Sequence, residues 1–204
     1  MFSLPKVYPI TDTSLSSISH SEQIFRLADG GARLVQIREK LATSAELYKA
    51  SFSAMQFARS RGLKIIINDR ADIALAVGAD GVHLGQDDLP PREARALLGG
   101  GAIIGCSTHS MEQARIASSE PVDYIAIGPV FPTTTKKDPD PIVGLEGVAA
   151  AKRLVGSIPL VAIGGIDTTN FKEVLDAGAD SVAVVGGILR HPEGIQAAIR
   201  EFLN

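Results

Sequence analysis

Asn68 and Asp69 close one apolar run and Asp88 follows the next, so two carboxylates stand one βα unit apart, close enough to repel if both are unpaired. A Mg²⁺ ion held by one or both, together with phosphate oxygens of a substrate, would remove that repulsion. A hydrogen-bonded pair sharing one proton for acid/base work would remove it too. A third reading makes them structural, with Asp69 the N-cap of a helix starting at Ala71 and Asp88 a cap before Pro90 and Pro91. Upstream, Gln36-Ile37-Arg38-Glu39-Lys40 puts Arg38 and Lys40 on alternate positions, where extended backbone points both the same way. A guanidinium fork and an ammonium point charge aimed together suit a polyanion. A solvated charge pair with Glu39 is the plainer alternative.

The segment from Gly128 to Lys137 is too long and too rich in hydroxyls and cations for an ordinary turn after a strand. Its threonines can donate to phosphate or carboxylate oxygens, and Lys136 can meet charge that builds on a leaving pyrophosphate. The alternative is a polar loop tip. Gly164-Gly165 and Gly186-Gly187 end two further apolar runs, and paired glycines let an anion approach backbone amides. His83 alternates with Val82 and Leu84, so it can point inward from a strand, where a satisfied structural role is expected. His109, beyond Ser107 and Thr108, suits a site residue and the neighbour of a helix cap equally. Neither histidine joins Cys106 in a recognisable zinc spacing.

Chemistry spread over so many run ends needs a scaffold that gathers them. Apolar runs at residues 7–10, 34–37, 64–67, 81–84, 102–105, 124–127, 160–163 and 181–185 read as eight strands. Segments of helical spacing at 21–29, 44–61, 71–77, 91–98, 111–118, 145–155, 169–177 and 192–203 alternate with them. In the second of these, Leu47, Ala50, Ala54, Phe57 and Ala58 fall mostly on one face, which packs on a sheet. Pro91 and Pro192 suit first helical turns, and Gly30, Gly62, Gly78 and Gly178 suit left-handed helix ends. Asp29, Asp80, Asp123 and Asp180 recur before the even-numbered strands, in short turns where a hydrogen-bonding role outweighs catalysis. A doubly wound sheet usually has five or six strands, and no GxGxxG follows the first run. The count therefore predicts an α/β fold, a single-domain (β/α)₈ TIM barrel over 1–204, whose C-terminal strand ends carry the active face.

Composition narrows the function class. A formal net charge of −3 argues against a nucleic-acid partner, which needs a basic face. No run approaches a membrane span and the N-terminus lacks a charged segment leading into an apolar one, so no membrane partner and a cytoplasmic location are expected. The single cysteine, Cys106, forbids an internal disulfide, and with Trp absent the core is expected to be aliphatic. Homo-oligomerisation is left open.

Taken in order, the strings Tyr8-Pro9-Ile10-Thr11-Asp12, Gln36-Ile37-Arg38-Glu39-Lys40, Asn68-Asp69-Arg70, His83-Leu84-Gly85-Gln86-Asp87-Asp88, Gly105-Cys106-Ser107-Thr108-His109-Ser110, Gly128-Pro129-Val130-Phe131-Pro132-Thr133 with Thr135-Lys136, and Ala162-Ile163-Gly164-Gly165-Ile166 resemble the thiamin-phosphate synthase and thiazole tautomerase superfamily over nearly the whole chain. The resemblance implies a (β/α)₈ barrel that joins a pyrimidine diphosphate to a thiazole phosphate and releases pyrophosphate. It implies Mg²⁺ on Asp69 and Asp88, with Arg38, Lys40, Asn68 and Lys136 around the diphosphate. Gln36 and Ser107 would face the pyrimidine; Thr133, Thr135, Gly165 and the Val185-Gly186 backbone would face the thiazole partner and its phosphate. Arg38, Lys136 and Ser107 are thereby the expected catalytic residues. Where the family commonly has Ser, this chain has Gly186, which keeps a backbone amide but loses a hydroxyl contact. Two rival readings stand beside the synthase: a thiazole tautomerase with His109 as acid/base residue, and a non-catalytic thiazole-phosphate-binding regulator.

Overall fold

The computed structural model describes residues 3–135 and 140–204. Eight strands, β1 (Val7–Thr11), β2 (Leu34–Ile37), β3 (Lys64–Asn68), β4 (Gly81–Leu84), β5 (Ile103–Thr108), β6 (Tyr124–Ile127), β7 (Leu160–Ile163) and β8 (Ser181–Val184), pair in parallel in sequence order. Tyr8 opposite Ala183 joins β1 to β8 and closes the barrel. Around it lie α1 (His20–Asp29), α2 (Ser44–Arg61), α3 (Ala71–Val77), α4 (Pro91–Leu98), α5 (Met111–Ala117), α6 (Gly144–Val155), α7 (Phe171–Asp176), α8 (Gly186–Leu189) and α9 (Ile195–Leu203). The architecture is the expected single-domain TIM barrel.

Three local expectations change. β5 runs on to Thr108, because Ser107 and Thr108 keep pairing with Ala126 and Ile127, so residues expected in a loop belong to the strand. The helix expected at 192–203 begins only at Ile195, after the left-handed Gly194 (φ 88°), so Pro192 lies before α9 rather than in its first turn, and a separate short α8 forms where Gly186-Gly187 suggested a loop. The left-handed residue after α1 is Gly31 (φ 105°), since Gly30 keeps a helical φ of −72°.

Side chains alternate across each strand, which yields two cores. Along β2, Val35 and Ile37 face the helices with Ile24, Leu27 and Ile65, whereas Leu34 and Gln36 face the barrel axis. Each fully buried Leu or Ile contributes roughly 1.5–3 kcal/mol relative to exposure. The axial core is not purely aliphatic. Tyr8 and Tyr124 are fully buried in it, with their rings edge to face at 5.8 Å.

At the opposite end from the active face, the repeated aspartates fasten neighbouring strands. Asp80, Asp123 and Asp180 each accept from the amide of Ile65, Ile104 and Leu160 respectively, all at 2.8 Å. Their own amides donate back to the same residues' carbonyls, so one turn residue satisfies both polar groups of a strand's first residues. Lys64, Arg95 and Lys152 cover the three carboxylates. Asp29 departs from the pattern: Arg33 fills the corresponding slot with only its carbonyl, and Asp29 meets Gln196 and Arg200 instead.

Candidate active site

The C-terminal strand ends bring the charged residues to one rim. Asp12, just past β1, pairs with Arg38 at the end of β2, and Lys40 two residues further pairs with Asp69 after β3. The two cations of β2 are thus held by carboxylates on either side, and Glu39 between them serves neither. Glu39 instead accepts from Thr13 and from the Leu41 amide and lies 3.4 Å from the buried His20. Burial works to raise its pKa, but those donors and His20 outweigh it and leave it below the usual value.

Asp69 occupies a backbone conformation rare for a residue with a side chain, at φ 63°. Its amide donates to the His83 carbonyl at 2.8 Å, and the Arg70 amide bonds back to the Asn68 carbonyl at 2.7 Å. The resulting three-residue turn lets β3 hand its last residues to the rim before α3 begins. The capping roles are not realised: the residue before α3 is Arg70, without a side-chain cap, and α4 begins after Pro90, also without one. Asp88 reaches back to the Gly85 amide at 2.6 Å. Burial pushes the Asp88 carboxyl above its ordinary pKa; the Gly85 amide opposes this, and the neighbouring Asp69 carboxylate adds to it. The two aspartates therefore stand side by side on the rim.

Among the described residues no set of three His, Cys, Asp or Glu side chains converges as a metal cage. A carboxylate pair open to solvent on one side fits a cation that keeps waters and takes phosphate oxygens, which is the habit of Mg²⁺. Asp69 and Asp88 are the residues that can hold it.

Gln36 and Ser107 sit deeper and are joined through the barrel interior. Gln36 Nε2 donates to the Tyr8 hydroxyl at 3.1 Å, Tyr8 and Tyr124 hydroxyls are 3.0 Å apart, Tyr124 is 2.9 Å from His83 Nδ1, and His83 Nε2 is 2.7 Å from Ser107 Oγ. His83 has the satisfied inward role expected of it, and burial lowers its pKa to about 4. Cys106, beside Ser107 in sequence, is pushed up to about 11 mainly by burial and is no nucleophile at neutral pH.

On the far side, Gly164 and Gly165 both have positive φ, and a Cβ on Gly165 would meet the Pro132 carbonyl at 2.5 Å, so the loops after β6 and β7 lie backbone against backbone. The Thr135 amide donates to Thr133 Oγ1 at 3.3 Å, and Thr135 Oγ1 is the nearest atom to a Cβ built on Gly186, at 3.8 Å. Thr133, Thr135, Gly165 and Gly186 thus line one quarter of the rim, with Val185 and Gly186 leading into the short α8. Asn68 ends β3 opposite His83, half-buried. Lys136 lies outside the described residues. His109 Nδ1 is 2.8 Å from the Gly128 carbonyl, to which it donates, tying β5 to the loop after β6.

The sequence pattern of the thiamine monophosphate synthase family matches residues 7–188, nearly the whole barrel. The chain belongs to that family. Similar family members include a thiamine-phosphate synthase of Koribacter versatilis, 43% identical over 93% of this chain and 91% of that protein. Another from Methanospirillum hungatei is 44% identical over 97% of this chain and 96% of that protein. The solved thiamine phosphate pyrophosphorylase of Pyrococcus furiosus superposes with a TM-score of 0.86 at 36% identity, covering 97% and 93% of the two chains.

Within this family framework, sequence reasoning left Asp12, Tyr8, Tyr124 and His83 without a site role. Asp12 carried a signal, a carboxylate at a strand exit, but nothing in its spacing named Arg38 as partner. The tyrosines lie on β1 and β6, and their meeting depends on how the closed barrel staggers its strands.

Proposed function

We propose that this chain is a thiamin-phosphate synthase, a transferase that joins 4-amino-2-methyl-5-hydroxymethylpyrimidine diphosphate to 4-methyl-5-(2-hydroxyethyl)thiazole phosphate and releases pyrophosphate, or to its carboxylated form with loss of CO₂ as well. The observation that carries the reading is the adjacent Asp69–Asp88 pair with Lys40 on one of its members and Arg38 one strand away. Proton shuffling in a tautomerase has no use for that much polyanion machinery. Its expected acid/base residue, His109, spends Nδ1 on a loop carbonyl.

In this reading Asp69 and Asp88 would hold Mg²⁺, which when bound would supply positive charge to offset that of the diphosphate. Arg38, Lys40, Asn68 and, from the loop after β6, Lys136 orient the diphosphate and stabilise the charge it takes when the methylene carbon–oxygen bond breaks and the electron pair leaves with it. The electron-rich aminopyrimidine, held by Gln36 and Ser107, stabilises the methylene cation. The thiazole, placed by Thr133, Thr135, Gly165 and the Val185-Gly186 backbone, donates its ring-nitrogen pair to form the new carbon–nitrogen bond. No protein base is needed.

Both partners are small molecules in this account, with neither nucleic acid nor membrane involved, and a cytoplasmic location goes with it. Among the described residues no helix is long and apolar enough to cross a membrane. The test incubates purified protein with both substrates and Mg²⁺, and separately with the thiazole tautomer alone. Thiamin phosphate in the first supports the synthase; tautomer conversion alone supports its rival, and thermal stabilisation by thiazole phosphate without turnover supports a regulator.

A further inference from the structure

The hydrogen-bonded chain from Gln36 to Ser107 takes one side chain from each of five strands and crosses the barrel without a break. Its three middle members are sealed: Tyr8 and Tyr124 are 0% exposed and His83 8%. Each hydroxyl has one hydrogen, so a closed chain of this kind has a direction. Gln36 donates to Tyr8, and Tyr8 must then give its own hydrogen to its other partner, Tyr124. Tyr124 in turn gives its hydrogen to His83 Nδ1. The imidazole proton therefore sits on Nε2 and goes to Ser107. A ring protonated at Nδ1, alone or on both nitrogens, would send a hydrogen back toward Tyr124 and leave one of the two buried tyrosine hydroxyl hydrogens with no acceptor.

The backbone is shaped to this path. A Cβ on Gly105 would lie 2.0 Å from Tyr124 Cζ and 2.3 Å from its hydroxyl, so the Tyr124 ring crosses β5 only because that position is glycine. His83 stacks on the same ring at 5.5 Å and 17°, which fixes the imidazole plane between Tyr124 and Ser107.

The two ends of the chain inherit its direction. Ser107, having accepted from His83, keeps its hydroxyl hydrogen to donate into the barrel mouth. At the other end one N–H of the Gln36 amide is committed inward to Tyr8, and among the described residues no donor reaches Oε1, which is left to accept. We propose that Tyr8, Tyr124 and His83 are positioning residues that hold Ser107 as a donor and Gln36 as an acceptor, so that the site selects a pyrimidine that offers an amino group to Gln36 and a ring-nitrogen lone pair to Ser107. An oxo-pyrimidine presents a carbonyl to Gln36 Oε1, acceptor against acceptor, and is rejected. The proposal rests on the synthase reading for the identity of the ligand, but the direction of the chain stands apart from it.

The experiment has two arms. In the first, the ¹⁵N spectrum of the His83 ring in the wild-type protein reports the tautomer: protonation at Nε2 is expected, and protonation at Nδ1 overturns the proposal. In the second, wild type and Tyr124→Phe, which keeps the ring and removes both central links, are assayed with the aminopyrimidine diphosphate and with its oxo analogue. KM for the aminopyrimidine is expected to rise about tenfold and the amino-over-oxo preference to fall by a similar factor, while KM for the thiazole phosphate stays unchanged. Unchanged pyrimidine KM and preference would overturn the relay. A wild-type protein with the Nε2 tautomer but no turnover would refute the synthase reading and leave the chain's direction supported.

Discussion

The Asp12 carboxylate holds the Arg38 guanidinium across the boundary between β1 and β2, with side-chain exposures of 6% and 21%. The anchor is nearly sealed and the cation it aims is not, so Arg38 is placed before any ligand arrives. Asp12 is itself fixed by the Ser14 amide at 2.9 Å and through Gln23, whose amide group bonds both the Asp12 amide and carbonyl.

Asp12→Asn preserves the turn and removes the charge that orients Arg38. The expected result is a fall in kcat/KM for the pyrimidine diphosphate of about 10- to 100-fold, from misplacement of one clamp residue. Steady-state kinetics decide it; an unaltered kcat/KM would mean that Arg38 needs no anchor.

Asp69 offers a clean separation of backbone from charge, because Asn tolerates φ 63° where most residues do not. Asp69→Asn should melt close to wild type yet lose about 10²-fold or more in kcat. Asp69→Ala should lose the same activity and also about 1 kcal/mol or more of stability from backbone strain. Thermal melts alongside assays at saturating Mg²⁺ check both, and a fully active Asn variant would remove Asp69 from the site.

Gly186→Ser has room, since nothing lies nearer to its Cβ than Thr135 Oγ1 at 3.8 Å. The hydroxyl should lower KM for the thiazole phosphate by about tenfold, the worth of one hydrogen bond to a charged group. Gly187→Ser is the control: its Cβ would meet the Ile166 carbonyl at 2.7 Å, and the protein should be destabilised. Equal behaviour of the two variants would contradict this account of the loop.

At the other end of the barrel, Asp180→Ala leaves the Leu160 amide without its acceptor and should cost about 1–3 kcal/mol with kcat unchanged. Burial alone would raise the Asp180 pKa, but Lys152 and the Leu160 amide lower it below the usual value. A depressed folded-state pKa means that this stabilisation is complete above the ordinary carboxylate range and is lost as pH falls through the folded value. Denaturant melts of wild type and variant should therefore differ most near neutrality and converge in acid; a constant gap would show that the charge plays no part.

Strand ends were legible because a barrel puts every parallel strand's C-terminus on one face, so Arg38, Asp69 and Asp88 could be grouped from order alone. The turn role of Asp80, Asp123 and Asp180 was legible for a similar reason: Gly and small residues before a strand leave a short carboxylate only the adjoining backbone to bind. What lay hidden depended on level and stagger. Two-residue alternation says that Tyr8 and Tyr124 both face inward, but not that their hydroxyls meet at the same height across the axis. Gly186-Gly187 was legible as a strand exit open to an anion but not as the start of α8, and the need for glycine at Gly187, where a Cβ would meet the Ile166 carbonyl at 2.7 Å, depends on packing against the loop after β7.

Calorimetric titration of inorganic pyrophosphate into the apo protein, with and without Mg²⁺, tests the pairing of Asp69 and Asp88 most directly. Wild type should bind pyrophosphate strongly only when Mg²⁺ is present, and Asp69→Asn and Asp88→Asn should each lose that dependence along with most of the affinity. Equal binding in the presence of a chelator, or undiminished Mg²⁺-dependent binding by both variants, would contradict it.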